Sequence, residues 1–583
     1  MPDRPAPRPP RFPRPPRFPP SRTLVLALVL ACTAPAAGCT TAGPDPAGDG
    51  AAGPRRGGTL TVLGQSGELR QLDPARSYEQ ASLTVLPLIV RSLTMTAPTG
   101  GTTPDGYPAE AVVGDLATDA GTPTDGGRTW TYHLRPGTRY ENGAPITAQD
   151  IKRGVERSFE PELTGGPPYA RQWLAGAEHY RGPTADGPLA SIETPDPATV
   201  VFRLSRPVAD FDHFAGYPLF GGVPADADTG PSYRDHPPAS GPYRVASYQA
   251  GKELRLVRNP AWDPATDPHR KAYPDRIDYL LGLDASVVNQ RLIAARGSDR
   301  DAIELKTTVD AAHVAQVLDD PRVAARSRSR LHAAFSYLVL NNSAPPFDDP
   351  RVRRAVQYAI DRRAVLTAAG GTRVGEPTST LLPAGVPGHT PFDLYPAPPG
   401  GSPGQAAELL RQAGAPHPAV TMDVRSDDPS AVAQAEAVQG ALARAGITVS
   451  LRGVPGAAYY PTISDRATAP QLALSSWGCD WPSPAACLPP LFDGRLIRPG
   501  ANNDPAMFDD PAVDRRIDEI GAVGSPDQAA PLYGALDEQI MRLAPVVPLY
   551  QHRNLYVTGP GVHGTFVSVQ GALSLTDIWV EGR

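Results

Sequence analysis

Apolar and polar residues alternate along Gly58-Thr-Leu-Thr-Val-Leu63 and again along Thr129-Trp-Thr-Tyr-His-Leu-Arg135. That period of two predicts half-buried strands, and Pro136-Gly137 turns the chain after the second. Thr199-Val-Val-Phe-Arg-Leu204 reads the same way, and Gly241–Val245 with Glu253–Val257 reads as a hairpin turning near Ala250-Gly251. One helix interrupts this strand-rich stretch. Thr147-Ala-Gln-Asp150 has capping-box spacing and precedes Ile151, Val155 and Phe159.

The texture changes near residue 335. Tyr337-Leu-Val-Leu340 is a short apolar strand, and Asp349-Pro350 then starts a helix with Val352, Ala355, Val356, Ala359 and Ile360 on one stripe. Ser402-Pro403 starts another, carrying Ala406, Leu409, Leu410 and Ala413 and stopping at Gly414. Strand Val420–Val424, helix Ala431–Ala445 and strand Ile447–Leu451 form a strand–helix–strand unit, which predicts a parallel, buried sheet. Leu472-Ala-Leu474 is a further strand, and strand texture returns from Val546 to Tyr550. The chain therefore leaves a first lobe, builds a second and comes back. Strands crossing between two lobes make a hinge, with a cleft suited to a ligand.

The 583 residues are enough for three or four such units. Residues 1–22 hold Arg4, Arg8, Arg11, Arg14, Arg17 and Arg22 against Asp3, and an apolar run, 23–31, follows. This is the pattern of a secretory signal, over residues 1–38, and the run is too short to span a bilayer. Ala36-Ala37-Gly38-Cys39 fits a lipoprotein signal in which Cys39 is acylated. Ala36 stands where Leu is usual, Cys32 is a weaker rival, and an ordinary cleaved signal without lipid is the alternative. Residues 39–56 read as a flexible tether. The expected location is extracytoplasmic, lipid-anchored to the cell membrane. The two remaining cysteines, Cys479 and Cys487, form either a local disulfide in an exported chain or two free thiols. With a net charge of −6 and no basic cluster after residue 22, no nucleic-acid partner is expected.

No catalytic signature stands out. The nearest approach to a nucleophile elbow, Gly64-Gln-Ser66-Gly67-Glu68, misplaces the second Gly, and Gly251-Lys252-Glu253 is not a phosphate loop. The 11 histidines are scattered, so no metal site and no cofactor is expected. Not an enzyme is the reading that follows. The segment Ser475-Ser-Trp477-Gly-Cys479-Asp480-Trp481-Pro-Ser-Pro484 differs from its surroundings. It follows a short strand of the α/β lobe, where loops face the ligand crevice. Asp480 there could pair with a ligand ammonium while Trp477 and Trp481 cover apolar or cationic parts. Packing of the loop on its own domain, with Asp480 as a turn cap, is the alternative.

Eight segments, in order, make the chain resemble family 5 of the solute-binding proteins of ABC importers, the oligopeptide- and dipeptide-binding group. They are Gly57–Val62, Leu72-Asp-Pro74, Leu134–Gly137 with Asn142–Ile151, Ser240–Tyr243, Arg258–Trp262, Asn341–Asp361, Ala406–Gly414 and Trp477–Asp480. The resemblance implies an α/β, two-lobed fold of the type II periplasmic-binding-protein kind, with an extra subdomain on the first lobe and crossing hinge strands. It divides the chain into the first lobe (57–92, 191–334 and a C-terminal return, 547–583), the extra subdomain (93–190) and the second lobe (335–546). It implies a monomer that closes on a peptide or other small solute and delivers it to an ABC permease. It further implies that Asp480 pairs with the peptide amino group. Arg425 is the expected partner of the carboxylate, and Tyr78 is expected on the first-lobe wall or packed at the surface. The family also holds receptors for nickel complexes, haem and oligosaccharides, so a non-peptide solute is the alternative, and a secreted hydrolase a more distant one.

Overall fold

Two long antiparallel strands, Ser327–Leu340 and Val546–Val557, tie the architecture together. They pair from Ser327 opposite Val557 to Val339 opposite Val546, with the register broken between Leu331 and Phe335 and again at Ser336/Tyr337. At one end Leu555 and Val557 pack with Leu63 and Val288. At the other, Leu338, Leu340, Val547 and Leu549 pack with Val352 and Met422. The same pair therefore belongs to both lobes. The lobe boundary expected at residue 335 falls inside the first of these strands. Its opening residues, Ser327-Arg-Ser-Arg330, are too polar to read as a strand, and only the pairing partner reveals them. The structure, a computed structural model, describes residues 53–582 apart from Ser66, Pro104, Asp105, Thr307, Ala311, Pro499 and Ala501. The signal segment, Cys32, Cys39 and the start of the expected tether lie outside the described residues.

The first lobe is built on a five-stranded sheet in the order Ala302–Glu304, Thr59–Gln65, Arg276–Leu283, Glu253–Arg258, Tyr243–Gln249. The alternation of Leu60 and Val62 against Thr59 and Thr61 places the apolar pair in a core with Leu254, Leu256, Ile277 and Tyr279. The expected hairpin is present, and Gly251 supplies the positive φ its turn requires. Residues from the C-terminal stretch, among them Tyr556, Val562, Leu573, Ile578 and Val580, complete that core.

The extra subdomain carries a four-stranded antiparallel sheet in the order Thr122–Thr124, Thr129–His133, Thr199–Arg203, Ile192–Asp196. Two of its strands thus lie beyond the expected end at residue 190. A hairpin, Thr94–Thr102 with Pro108–Gly114, stands beside it. Helix Ala148–Arg157 begins with the capping box read from the sequence. The Asp150 amide donates to Thr147 Oγ1 at 3.3 Å, and the Thr147 amide donates to Asp150 at 2.9 Å.

The second lobe holds a six-stranded sheet in the order Gly375–Pro377, Val546–Val557, Ser327–Leu340, Leu472–Gly478, Ala419–Arg425, Thr448–Val454. Ala419–Arg425, helix Pro429–Arg444 and Thr448–Val454 form the expected parallel unit. Asp349 caps helix Pro350–Ala359, whose Val352, Ala355, Val356 and Ala359 are buried. Among the described residues, no helix is long and apolar enough to cross a membrane.

Candidate functional site

Strand Leu472–Gly478 lies antiparallel to the first crossing strand, with Gly478 opposite Ala334. The Cys479 amide extends that ladder by donating to the Ala333 carbonyl at 2.8 Å. The chain then turns. The Ser483 amide donates to the Trp481 carbonyl at 2.7 Å, and Ser483 caps the short helix Pro484–Cys487. A disulfide joins Cys479 to Cys487. Strand, turn and cross-link together fix Asp480 just past the sheet edge, at the place where the crossing strands lose their register.

A cavity of about 460 Å³ opens there. One wall comes from the first lobe, with Tyr78, Gln80, Leu83 and Leu88. The hairpin of the extra subdomain contributes Thr94, Thr96, Glu110 and Val112, and the segment His213–Pro218 adds His213 and Tyr217. His332, Ala333 and Ala334 of the crossing strand meet Gly478–Trp481 at the back, and Phe566–Thr576 of the C-terminal stretch closes the remaining side.

Asp480 is the meeting point of these parts. Tyr78 Oη donates to Asp480 Oδ2 at 2.8 Å, and Tyr169 Oη donates to the same oxygen. The Asp480 carbonyl accepts from Tyr217 Oη at 3.2 Å and from Gln570 Nε2 at 2.9 Å. Oδ1 accepts no hydrogen bond among the described residues. Burial pushes the Asp480 carboxyl up to about 6, although the Tyr169 and Tyr78 hydroxyls pull it back. The Tyr78 hydroxyl is itself raised by burial and by the adjacent carboxylate.

Trp481 is 3% exposed and lies among rings, with centroids 5.0 Å from Tyr169, 5.9 Å from Trp173 and 6.1 Å from Tyr217. Its indole N–H donates to Asp210 Oδ2 at 2.5 Å. Next to it, burial lowers the pKa of His213, with Asp210 opposing, and raises the Asp212 carboxyl to about 7, with Asp210 adding to the rise. His332 is held down to about 3 by burial and by His552, and its Nε2 has no hydrogen-bond partner.

Of the residues singled out in the sequence, Asp480, Trp481 and Tyr78 come together at the cavity. Trp477 does not line it. Its indole donates to the Ala486 carbonyl at 3.1 Å and packs on the 484–487 turn instead. Arg425, the expected carboxylate partner, does not line it either. Strand Ala419–Arg425 is one strand farther from the crossing pair than Leu472–Gly478, and Arg425 faces Asp428 at 3.7 Å. Asp428 caps the next helix, so the loop is too short to swing inward. Tyr169, Tyr217, His213, His332 and Gln570 went unread in the sequence. They lie 90 to 311 positions from Asp480 where hydrogen bonds join them to it, and no local motif marks them. Among the described residues, no group of three or more His, Cys, Asp or Glu side chains is placed to hold a metal ion.

The other charged side chains at the cavity are engaged within the protein. Arg270 meets Asp115 at 2.6 Å and Asp267 at 3.0 Å, and Arg91 shares both carboxylates. Burial alone would raise Asp267, but Arg270 and Arg91 hold it at about 2. Glu110 meets Arg330 at 3.2 Å and accepts the Val569 amide at 2.9 Å. The Arg330 guanidinium lies over the Tyr107 ring.

Comparison with known proteins bears on this site. Residues 111–496 match the model of the bacterial extracellular solute-binding proteins, family 5 Middle. The chain is 23% identical over 485 residues to Heme-binding protein A of Haemophilus influenzae, covering 79% of this chain and 83% of that protein. It is 20% identical over 491 residues to the Glutathione-binding protein GsiB of Salmonella typhimurium, covering 81% and 87%. Among solved structures, Clavulanic acid biosynthesis oligopeptide binding protein 2 superposes with a TM-score of 0.83 at 36% identity, covering 90% of this chain and 96% of that one. The ABC transporter-associated periplasmic binding protein DppA from Helicobacter pylori, in complex with the peptide STSA, gives 0.67 at 21%, covering 90% and 99%.

Proposed function

The chain belongs to family 5 of the bacterial extracellular solute-binding proteins, and from that membership we propose that it is the receptor of an ABC importer that closes its lobes on a peptide held at Asp480. The fold is the two-lobed type II fold of that family, and the family consists of substrate-binding proteins, so the work done is binding and release. Acylation of Cys39 tethers the receptor, a monomer, to the outer face of the membrane, where it presents closed, loaded lobes to the permease. The lobe boundaries are those given above, with the crossing strands shared and strands Ile192–Asp196 and Thr199–Arg203 counted in the extra subdomain.

The single observation that carries this reading is the position of Asp480. Its carboxylate stands at a cavity wall where the second lobe, the first lobe and the extra subdomain converge. Oδ2 is taken by two tyrosine hydroxyls from the opposing side, and Oδ1 is left to accept a ligand ammonium. Tyr78 and Tyr169 tie Oδ2 to the other side of the cleft, so the same carboxylate can serve both closure and ligand capture. The likeness to an oligopeptide-binding protein and to a peptide complex supports a peptide as the solute. Trp481 shapes the wall behind Asp480, and the Cys479–Cys487 bond holds its loop.

Asp480→Asn keeps the shape of the side chain and removes its charge. Free-amine peptides should then bind more weakly by about 2–5 kcal/mol, the usual loss when one partner of a buried charge pair is removed. Titration calorimetry reads the change. Unaltered affinity would remove Asp480 from the site.

A further inference from the structure

The charges around the cavity do not cancel. Arg270 is the only arginine or lysine among its described lining residues, and Asp115 and Asp267 neutralise it together with Arg91. Glu110 is neutralised by Arg330. Asp480 has no arginine or lysine within ion-pair distance among the described residues. Behind the wall, beyond Trp481, lies a further carboxyl group. Asp210, 4% exposed, is satisfied by the Trp481 indole and not by a cation. The neutral imidazole of His332 also lines the cavity, with Nε2 free of partners. It offers a hydrogen bond without a charge.

We infer that this cavity selects solutes whose charge inside it is net positive, an amine or guanidine group without a carboxylate beside it, over compact zwitterions. The inference rests on the reading of Asp480 as the ammonium partner and adds what the rest of the ligand must be. A ligand carboxylate drawn inside would meet no free cation among the described lining residues and would share the cavity with Asp480, giving up its hydration without return. A peptide satisfies the condition when its carboxyl end is amidated, or is long enough to leave the cavity. A basic amine satisfies it outright.

The test compares matched probes that differ only in the carboxylate, trialaninamide against trialanine and agmatine against arginine. Each is equilibrated with the full chain by dialysis and quantified by mass spectrometry. The member without the carboxylate should be retained at least tenfold more tightly in any pair that binds. Equal or tighter retention of the carboxylate member, or retention of neither pair, overturns the inference. Asp480→Asn separates the two levels. If that variant keeps the preference for trialaninamide or agmatine at full affinity, the assignment of Asp480 fails. If it weakens both members of a pair equally while trialanine or arginine still leads in the parent chain, Asp480 stands and the charge rule fails. Binding by the agmatine pair alone removes the peptide and leaves the charge rule in place.

Discussion

Ligand affinity should fall by about tenfold between pH 7.5 and pH 5, and the fall should belong to Asp480. Burial raises its carboxyl to about 6. The ammonium needs the ionised form, which is nearly complete at pH 7.5 and about a tenth of the population at pH 5. That reduction corresponds to about 1.4 kcal/mol. The sign is fixed by which state holds the proton. A bound cation lowers the carboxyl's pKa, so below pH 6 binding expels a proton, and affinity drops by up to tenfold per unit of pH. Above 6 it is flat until the ligand amine itself begins to titrate near 8. The raised carboxyl also makes ionised Asp480 a cost to the free fold. That cost sets in above the ordinary carboxylate range and is complete above 6, and a bound cation relieves it. The melting shift produced by a saturating free-amine peptide should therefore be larger at pH 7.5 than at pH 5. Asp212, raised to about 7, lies close by and would shift affinity in the same direction. Asp212→Asn should leave the step near pH 6 intact, whereas Asp480→Asn should abolish it. His332, held near 3, does not titrate in this window, and burial keeps His213 low. Calorimetric titration across pH 5–8, in two buffers of different ionisation enthalpy, measures both the affinity and the released proton. A flat affinity with no proton release, or a slope that survives Asp480→Asn, would refute the reasoning.

Two further outcomes probe the site's edges. Tyr78→Phe removes one hydrogen bond to a charged group, so affinity for a free-amine peptide should weaken by about 1.5–3 kcal/mol, and the pH midpoint should move upward because Asp480 loses support for its ionised form; both are read in the same titrations. Arg425→Ala should leave affinity within about twofold, since the side chain is 40% exposed and faces Asp428 outside the cavity, and a loss beyond tenfold would return Arg425 to the ligand.

Elements whose signals are local were legible in the sequence. The capping box at Thr147, the Asp349-Pro350 helix start, the hairpin around Gly251 and the parallel unit from Ala419 to Val454 all depend on residues a few positions apart. Ser402 precedes its helix as expected, yet its hydroxyl makes no capping hydrogen bond. The first half of the long strand at Ser327 was illegible because its polar residues gain meaning only opposite Val557–Arg553. The site divides in the same way. Asp480 and Trp481 stand out in a loop dense with Trp, Asp and turn residues. Tyr169 and Tyr217 look like core aromatics until the fold brings them against that loop. The placement of Arg425 away from the cavity has no local signal, because strand order decides which loop reaches the crevice, and strand order is a property of the whole sheet.

The sharing of Ser327–Leu340 and Val546–Val557 also dictates how the molecule can be made. Leu60 and Val62 wait for Tyr556, Val562 and Ile578 before their core is closed, and the entire second lobe is spliced in between. The core around the earliest strands can thus be completed only once the last segment is available. Such distant pairings form slowly. A chain halted before residue 546 would leave two unfinished halves rather than one sound lobe.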